Sequence, residues 1–188
     1  TSARIKAVVE TLRGMAEHRD AFQVRRSAVH VENGVIRLAE DGDVRLTGFA
    51  PEDYSRNRSP IPFDAGAECP RFLQELLLPA MSAEDVDLLQ RWAGMAITGR
   101  NPAQRIVILT GTSAGGKTTT ASTIGRIIGA ENTYQLRTEV LAERFEVYRY
   151  RAKTLLGGAD VPGDFLQRRG AGVLKALVGG DILAAEAK

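Results

Sequence analysis

A glycine-rich stretch between residues 106 and 118 contains the side chains best suited to bind a phosphorylated ligand. It reads Ile-Val-Ile-Leu-Thr-Gly-Thr-Ser-Ala-Gly-Gly-Lys-Thr, an apolar segment followed by the pattern G-x-x-x-x-G-K-T. Glycines let the backbone curl so that successive N–H groups point at phosphate oxygens, and the positive end of a following helix attracts the same anion. Lys117 would reach the β- and γ-phosphates, and the Thr118 hydroxyl would complete the coordination of Mg²⁺. The order of apolar segment, loop and helix favours a nucleoside-triphosphate site over an ordinary glycine-rich turn.

The predicted nucleotide-binding residues form one continuous run. They are Gly111, Thr112, Ser113, Ala114, Gly115, Gly116, Lys117, Thr118 and Thr119. This run requires a strand over residues 106–110, which anchors the loop in a sheet, and a helix over residues 118–128. Both elements are predicted from their apolar and helix-compatible residues.

Hydrolysis also needs an acid at the end of a neighbouring strand, which holds Mg²⁺, usually through water, and orients the attacking water. Residues 153–160 predict a second buried strand that ends in Asp160. The spacing from Lys117 leaves room for a helix between two parallel strands. Asp160 is therefore the predicted catalytic acid and metal ligand. Asp164 is the alternative, although its position after Pro162-Gly163 is more typical of a helix cap.

Hydrophobic spacing predicts the elements that must surround this site. Residues 4–19 predict an amphipathic helix, and residues 29–46 predict a small β-meander with a tight turn at Asn33-Gly34. Residues 51–70 carry four prolines and predict a linker or wrapping loop. Further helical spacing is found in residues 72–78, 86–97, 138–145 and 164–179. Residues 182–188 could begin either a hairpin arm or a helix.

Composition limits the classes of protein to which the chain can belong. Its 188 residues, 44% of them hydrophobic, suffice for one ordinary domain or a core with a smaller appendage. The single cysteine, Cys69, excludes an internal disulfide framework. No apolar run approaches the roughly 18 residues that a membrane span needs, and the N-terminus lacks the apolar core of a secretory signal. We expect a cytoplasmic protein, and Thr1, not being an initiator methionine, suggests a piece of a longer chain.

Basic residues occur in local clusters and not as an overall excess. The net charge is only +2, so bulk charge does not predict nucleic-acid binding. The clusters are Arg25 with Arg26, Arg56 with Arg58, Arg149 with Arg151 and Lys153, and Arg168 with Arg169. Such a cluster is more often a solvated surface than a track for phosphates.

Several separated segments together point to one family. They are Asn33-Gly34-Val35, Phe63-Asp64-Ala65, residues 67–72, residues 89–95, the phosphate loop and residues 173–181. The chain resembles the core of superfamily 3 helicases, of the type found in phage and plasmid primase–helicases and related poxvirus-like replication proteins. The resemblance covers about residues 25–188. Its most specific part is the phosphate loop followed at this distance by Lys175 and Gly179-Gly180-Asp181.

The resemblance implies a fold and a division of the chain. The fold is α/β, with the parallel-sheet core of a P-loop NTPase similar to AAA+ proteins and a small α+β N-terminal region. Residues 1–65 correspond to an N-terminal accessory region, residues 66–100 to a helical linker or collar segment, and residues 101–188 to the NTPase core.

The resemblance also implies an activity. Proteins of this family are ATPases that assemble as rings, commonly hexamers, and pull single-stranded DNA with 3′-to-5′ polarity. ATP and Mg²⁺ are the implied cofactors, with Lys117 and Asp160 as catalytic residues and with Thr118 and Asp160 on the metal. The match to the family's intermediate motif implies that Lys175, Gly179, Gly180 and Asp181 couple the nucleotide to a DNA-contacting hairpin that starts near Lys188.

In the family a polar sensor and an arginine finger follow the intermediate motif, and this chain ends at Lys188 before either. We therefore expect the 188 residues to bind nucleotide but to hydrolyse it slowly, with later strands of the sheet absent and an open edge. Two other functions stay open. One is a small P-loop kinase or other nucleotide-dependent transferase, with Arg144, Arg149 and Arg151 in a lid. The other is a non-enzymatic module in which bound nucleotide only sets an assembly interface.

Overall fold

The computed structural model describes residues 2–15, 28–39, 41–55 and 57–188. Within these ranges the chain is a mixed α/β protein with a three-stranded antiparallel sheet and a two-stranded parallel sheet. The end of the predicted first helix (residues 16–19) and the basic residues Arg25, Arg26 and Arg56 lie outside them. No helix in the described ranges combines the length and the apolar character needed to cross a membrane.

The N-terminal part contains one helix and the predicted β-meander. Helix α1 (Ser2–Met15) confirms the predicted helix as far as residue 15, and its side chains are exposed. Strands β1 (Ala28–Val31), β2 (Gly34–Leu38) and β3 (Val44–Thr47) pair antiparallel in chain order. Gly34 opens β2 opposite Val31, and a Cβ atom at Gly34 would lie 2.3 Å from the carbonyl oxygen of Thr47. Only glycine fits at this position.

Residues 57–63 form an extended segment, here called the strap, that joins the meander to the rest of the chain. The Ser59 backbone N–H donates to the carbonyl of His30 at 2.8 Å, and the Ser59 hydroxyl donates to the carbonyl of Ile127 at 2.5 Å. Asn33 at the hairpin turn exchanges two hydrogen bonds with the backbone of Phe63. Pro60 and Pro62 therefore lie in a wrapping segment, one of the two alternatives predicted for residues 51–70, whereas Pro70 precedes the π-helix Arg71–Leu77.

Three helices build the first hydrophobic core. They are a π-helix (Arg71–Leu77), α2 (Ala83–Ile97) and α3 (Lys117–Ile128). The Ser82 hydroxyl accepts a hydrogen bond from the backbone N–H of Asp85 and so caps the N-terminus of α2. The buried residues of this core are Leu77, Leu89, Ala96, Ile124 and Ile128, and the half-buried Trp92 packs against them. Trp92 is a core residue, as its helical spacing predicts.

The prediction of a strand over residues 106–110 is wrong. The segment is irregular, and no strand in the described part of the chain pairs with it. Ile106 and Ile108 are 41% and 58% exposed, whereas Val107 and Leu109 are half-buried. β-branched residues favour extended backbone, but a strand also needs a neighbour that satisfies its N–H and C=O groups. That neighbour is not among the described residues.

A short parallel pair lies beside α3. Strand β4 (Thr133–Gln135) pairs with β5 (Leu155–Gly157), and α3 contacts β5. Strand β5 is shorter than the predicted strand 153–160, and Asp160 follows it in a bend and not at its last position. The glycines at 157 and 158 explain the early end, because glycine contributes no side chain to sheet packing.

Two predicted helices differ from the structure. Residues 138–145 form successive turns and not a helix, and the stretch from Asp164 divides into a 3₁₀ turn (Phe165–Gln167) and α4 (Ala171–Gly179). A Cβ atom at Gly170 would lie 2.8 Å from the Cβ of Leu141, which is 1% exposed. This close approach holds the turns against the start of α4, so tertiary packing overrides the helical spacing. Residues 182–188 form neither a hairpin strand nor a helix.

A buried carboxylate organises the loop between β4 and β5. Glu146 is 3% exposed, accepts hydrogen bonds from the Arg137 guanidinium, and accepts another from the Tyr150 hydroxyl at 2.7 Å. Burial by itself would raise the pKa of Glu146, but the hydrogen bonds from Arg137 and Tyr150 outweigh it and the pKa lies below its ordinary value. Burial and the hydrogen bond to Glu146 raise the pKa of Tyr150 to about 12.

The lowered pKa of Glu146 predicts a loss of stability in acid. A group with a depressed folded-state pKa stabilises the fold above its unfolded pKa of 4.5, and this contribution disappears as the pH falls through the folded-state pKa. We expect Glu146→Gln to lower the free energy of unfolding at about pH 7 but to change it much less at about pH 3. The measurement is urea unfolding at both pH values.

The matched control is Glu143→Gln, since Glu143 lies in the same loop with an exposed side chain. Its free energy of unfolding should follow that of the wild type at both pH values. The pKa of Asp53 is also lowered, chiefly by its hydrogen bonds from Arg37. Asp53 therefore contributes to the pH dependence of the free energy of unfolding equally in the wild type and in both variants. Equal losses for Glu146→Gln at both pH values would contradict the prediction.

Candidate nucleotide-binding site

The backbone of residues 111–116 curls in front of α3. Gly111, Ala114 and Gly116 have positive φ angles of 143°, 59° and 81°. The Gly115 N–H donates to the carbonyl of Thr112 at 3.3 Å, which closes a turn inside the loop. Residues in the left-handed region next to ordinary ones make a concave run of N–H groups that suits an anion. The glycines are required here because left-handed backbone strains residues with a Cβ atom.

Lys117 is the first residue of α3 and folds back onto the loop. Its Nζ donates to the carbonyl of Gly111 at 2.9 Å and to the carbonyl of Thr112 at 2.6 Å. An ammonium group is a compact point charge with three donors, and two of them are engaged by the loop. The Lys117 charge is thus fixed against the concave backbone that would receive the phosphates.

The start of α3 adds further donors. The first hydrogen bond along the helix backbone runs from the Thr120 N–H to the Gly116 carbonyl. The N–H groups of residues 117–119 therefore have no acceptor within the helix and carry the positive end of its dipole. Thr118 and Thr119 are exposed, so the Thr118 hydroxyl is accessible to a bound ion.

One contact of this loop is not apparent from the sequence. A Cβ atom at Gly116 would lie 2.8 Å from Cδ1 of Leu76 in the π-helix. Leu76 also packs against the first hydrophobic core. The helical segment before the loop therefore contacts the loop directly, at the residue that precedes Lys117.

The two candidate acids differ in their surroundings. Asp160 is exposed, has a positive φ of 49°, and makes no hydrogen bond or ion pair within the described ranges. Asp164 accepts a hydrogen bond from the Arg168 guanidinium at 2.9 Å. A non-glycine residue with positive φ carries backbone strain, which often accompanies a functional position. The surroundings favour Asp160, whose carboxylate is available, over Asp164, whose carboxylate is already paired.

Thr118 and Asp160 belong to neighbouring elements, since α3 contacts β5 and Asp160 follows β5. No hydrogen bond joins their side chains. The described residues also contain no group of three or more His, Cys, Asp and Glu side chains that could enclose a metal. Mg²⁺ commonly keeps several waters and binds through one or two protein oxygens and the phosphates of a nucleotide. One hydroxyl and one free carboxylate are a donor set that fits this mode.

The residues predicted to couple nucleotide to DNA lie at the end of α4. Lys175 is exposed on the helix, Gly180 ends it with a φ of 77°, and the Asp181 N–H donates to the Ala176 carbonyl at 3.0 Å. Lys188 is exposed beyond them. Gly179, Gly180 and Asp181 therefore lie at the C-terminus of α4, and Lys175 lies about one helical turn before it.

A turn at Asn101 joins this helix terminus to the segment that leads into the phosphate loop. The Asn101 side-chain amide donates to the carbonyls of Arg105 at 2.9 Å and Val178 at 3.5 Å. The Gln104 amide donates to the carbonyl of Gly179, also at 3.5 Å. Sequence reasoning did not identify Asn101, although an Asn-Pro pair is a signal for a turn.

No known protein-family model matches this chain, and no curated protein is significantly similar to it.

Proposed function

We propose that this chain is the nucleotide-binding part of an ATP-driven motor that moves along single-stranded DNA, as superfamily 3 helicases do. The observation that carries the proposal is the curled loop of residues 111–116 at the N-terminus of α3, with the Lys117 ammonium held against it. A loop of this shape and sequence suits a triphosphate. Under this proposal the mixed α/β fold includes a P-loop NTPase core that resembles AAA+ proteins.

The side chains have distinct roles in this proposal. The backbone N–H groups of residues 111–119 bind the phosphates, and Lys117 offsets the charge of the β- and γ-phosphates. Thr118 and Asp160 hold Mg²⁺, which supplies charge stabilisation when bound. Asp160 also orients the attacking water, for which its unpaired and exposed carboxylate is suited.

The turn at Asn101 supports the proposed coupling to DNA. It contacts Val178 at the end of α4 and leads directly into the segment before the loop. A change in the loop on nucleotide binding can therefore reach Lys175, Gly179, Gly180 and Asp181 through few contacts. The proposal includes assembly into a hexameric ring and action in the cytoplasm of a bacterial or phage-infected cell.

The test is nucleotide binding and turnover with and without single-stranded DNA, by this chain and by any longer protein that contains it. We expect Mg²⁺-dependent ATP binding by the chain, with slow turnover, and DNA-stimulated turnover by the longer protein. Phosphoryl transfer to a small acceptor would instead identify a kinase. Tight nucleotide binding without any DNA-dependent turnover would identify an assembly module.

A further inference from the structure

The loop between β4 and β5 carries an unusual concentration of cations and aromatic rings. Residues 144–153 read Arg-Phe-Glu-Val-Tyr-Arg-Tyr-Arg-Ala-Lys, with four basic residues and one acid. The acid is the buried Glu146, whose charge is already offset by Arg137. Arg149 also lies 3.7 Å from the Glu146 carboxylate, and Arg144 pairs with Glu186 outside the segment. Because Glu146 is shared between Arg137 and Arg149, the segment keeps an excess of positive charge.

Contacts bring two of the cations together around one ring. The Arg149 guanidinium donates to the Tyr134 hydroxyl at 3.2 Å, and Lys153 Nζ lies 5.9 Å from the centre of the Tyr134 ring. Arg149 keeps half of its side-chain surface exposed. Tyr134 in turn packs edge-on against the buried Tyr150, with ring centres 6.0 Å apart. The two cations are thus positioned by a rigid aromatic support.

Two exposed side chains extend this cluster. The Arg151 side chain is exposed and has no hydrogen-bond or ion-pair partner among the residues that the structure describes, whereas its backbone N–H donates to the carbonyl of Tyr148 at 3.2 Å. Tyr148 is 39% exposed, although it is a large aromatic residue in the ordered 3₁₀ turn Val147–Tyr150. We call Tyr134, Tyr148, Arg149, Arg151 and Lys153 the Tyr134 patch.

We infer that the Tyr134 patch binds single-stranded nucleic acid. Arg149, Arg151 and Lys153 supply charge for the phosphate backbone, and the Tyr148 ring offers a face on which an unpaired base can stack. Surfaces that bind single strands without sequence preference combine these two features. The choice of DNA as partner rests on the proposed function, but the patch lies outside both the phosphate loop and the residues assigned to coupling at the end of α4.

The test is fluorescence anisotropy of the full chain with a labelled oligothymidylate of about 20 nucleotides, without nucleotide, over a range of salt concentrations. Arg151→Glu should weaken binding about tenfold and reduce the slope of log Kd against log salt by roughly one. Tyr148→Ala should weaken binding by about tenfold while leaving that slope unchanged, because stacking releases no counterions. Both side chains are exposed, and thermal unfolding checks that each variant is folded.

The matched control is Arg126→Glu, which makes the same charge change at an exposed residue of α3. It should leave the affinity nearly unchanged. Absence of binding by the wild type, or equal losses for Arg126→Glu and Arg151→Glu, would overturn the inference. So would a loss confined to Lys175→Glu, which would place the DNA at α4. Competition by oligouridylate distinguishes a DNA partner from RNA, and stronger competition by duplex DNA than by unlabelled oligothymidylate would contradict a single-stranded partner.

Nucleotide affinity, measured on the same variants, separates this inference from the proposed function. Binding of oligothymidylate through the patch by a chain that binds no nucleotide would uphold the inference and refute the motor. Normal ATP binding, together with a DNA affinity that the patch variants leave unchanged, would refute the inference and remain compatible with the motor.

Discussion

Lys117→Ala is expected to weaken ATP binding by roughly 10- to 100-fold, because a hydrogen bond to a charged group contributes about 1.5–3 kcal/mol. The Lys117 ammonium donates to the carbonyls of Gly111 and Thr112, so its position beside the loop is set before any ligand arrives. Its removal takes away both a positive charge and the group that steadies the loop. Titration with a fluorescent ATP analogue in the presence of Mg²⁺ measures the change.

Two further variants make this experiment specific. Lys6→Ala removes the same charge from an exposed position on α1 and should leave nucleotide affinity unaltered. Lys117→Arg keeps the charge but presents a planar guanidinium where a compact ammonium is required, so its affinity should fall between those of the wild type and Lys117→Ala. Equal losses for Lys117→Ala and Lys6→Ala would show that the effect is one of net charge. The glycine-rich loop would then not be the binding site.

Asp160→Asn is expected to slow ATP hydrolysis by about 10²- to 10⁴-fold, the range typical of a lost acid–base group, while changing ATP affinity far less. Asparagine is a suitable replacement because it tolerates left-handed backbone, and Asp160 has a φ of 49°. The substitution therefore removes the charge without disturbing the bend after β5. Single-turnover hydrolysis in the presence of single-stranded DNA measures the effect.

The metal dependence of ATP binding gives a second test of Asp160 that does not require measurable hydrolysis. If Asp160 holds Mg²⁺, removal of the metal with a chelator should weaken ATP binding by the wild type more than by Asp160→Asn. Asp164→Asn is the control, since that carboxylate is paired with Arg168 and lies in the same stretch. Loss of turnover and of metal dependence in Asp164→Asn, with both retained in Asp160→Asn, would transfer the role to Asp164.

The elements that the sequence predicted well are those determined by adjacent residues. Helix α3 begins at Lys117, one residue before its predicted start, because the glycines that end the loop and the helix-compatible residues after it are contiguous. The meander could also be predicted from the sequence, since its turn at Asn33 and its alternating strands lie within 20 residues of one another. Ser82 caps α2 through an N–H only three residues away.

The errors occur where distant residues decide the outcome. Residues 106–110 have the composition of a strand, but pairing depends on a neighbour that local sequence does not specify. Residues 138–145 have helical spacing, yet Leu141 is held by Gly170 and the following loop is held by the Arg137–Glu146 pair. Strand β4 was missed because three residues are too few for a periodic pattern to be recognised.

In the candidate site, too, the features predicted from sequence are local, and those that were missed join distant residues. The sequence identified the loop, Lys117 and Thr118 because their spacing is itself the signal. The contact of Leu76 with Gly116, and that of Asn101 with Val178, join residues that are far apart in the chain and could not be found by spacing. The structure adds that the Asp164 carboxylate is paired with Arg168, a difference between the two candidate acids that the sequence did not show.

The strap determines where the chain can be cut without damage. Ser59 satisfies the carbonyl of Ile127 in the last turn of α3, and the Asn132 amide bridges the carbonyls of Ile128 and Arg58. A break between residues 65 and 66 falls at the boundary suggested by the family resemblance. It would nevertheless remove the strap and leave the C-terminal carbonyls of α3 with fewer donors. An expression fragment meant to preserve this helix should therefore begin upstream of Asn57, although the glycine-rich loop lies much later in the chain.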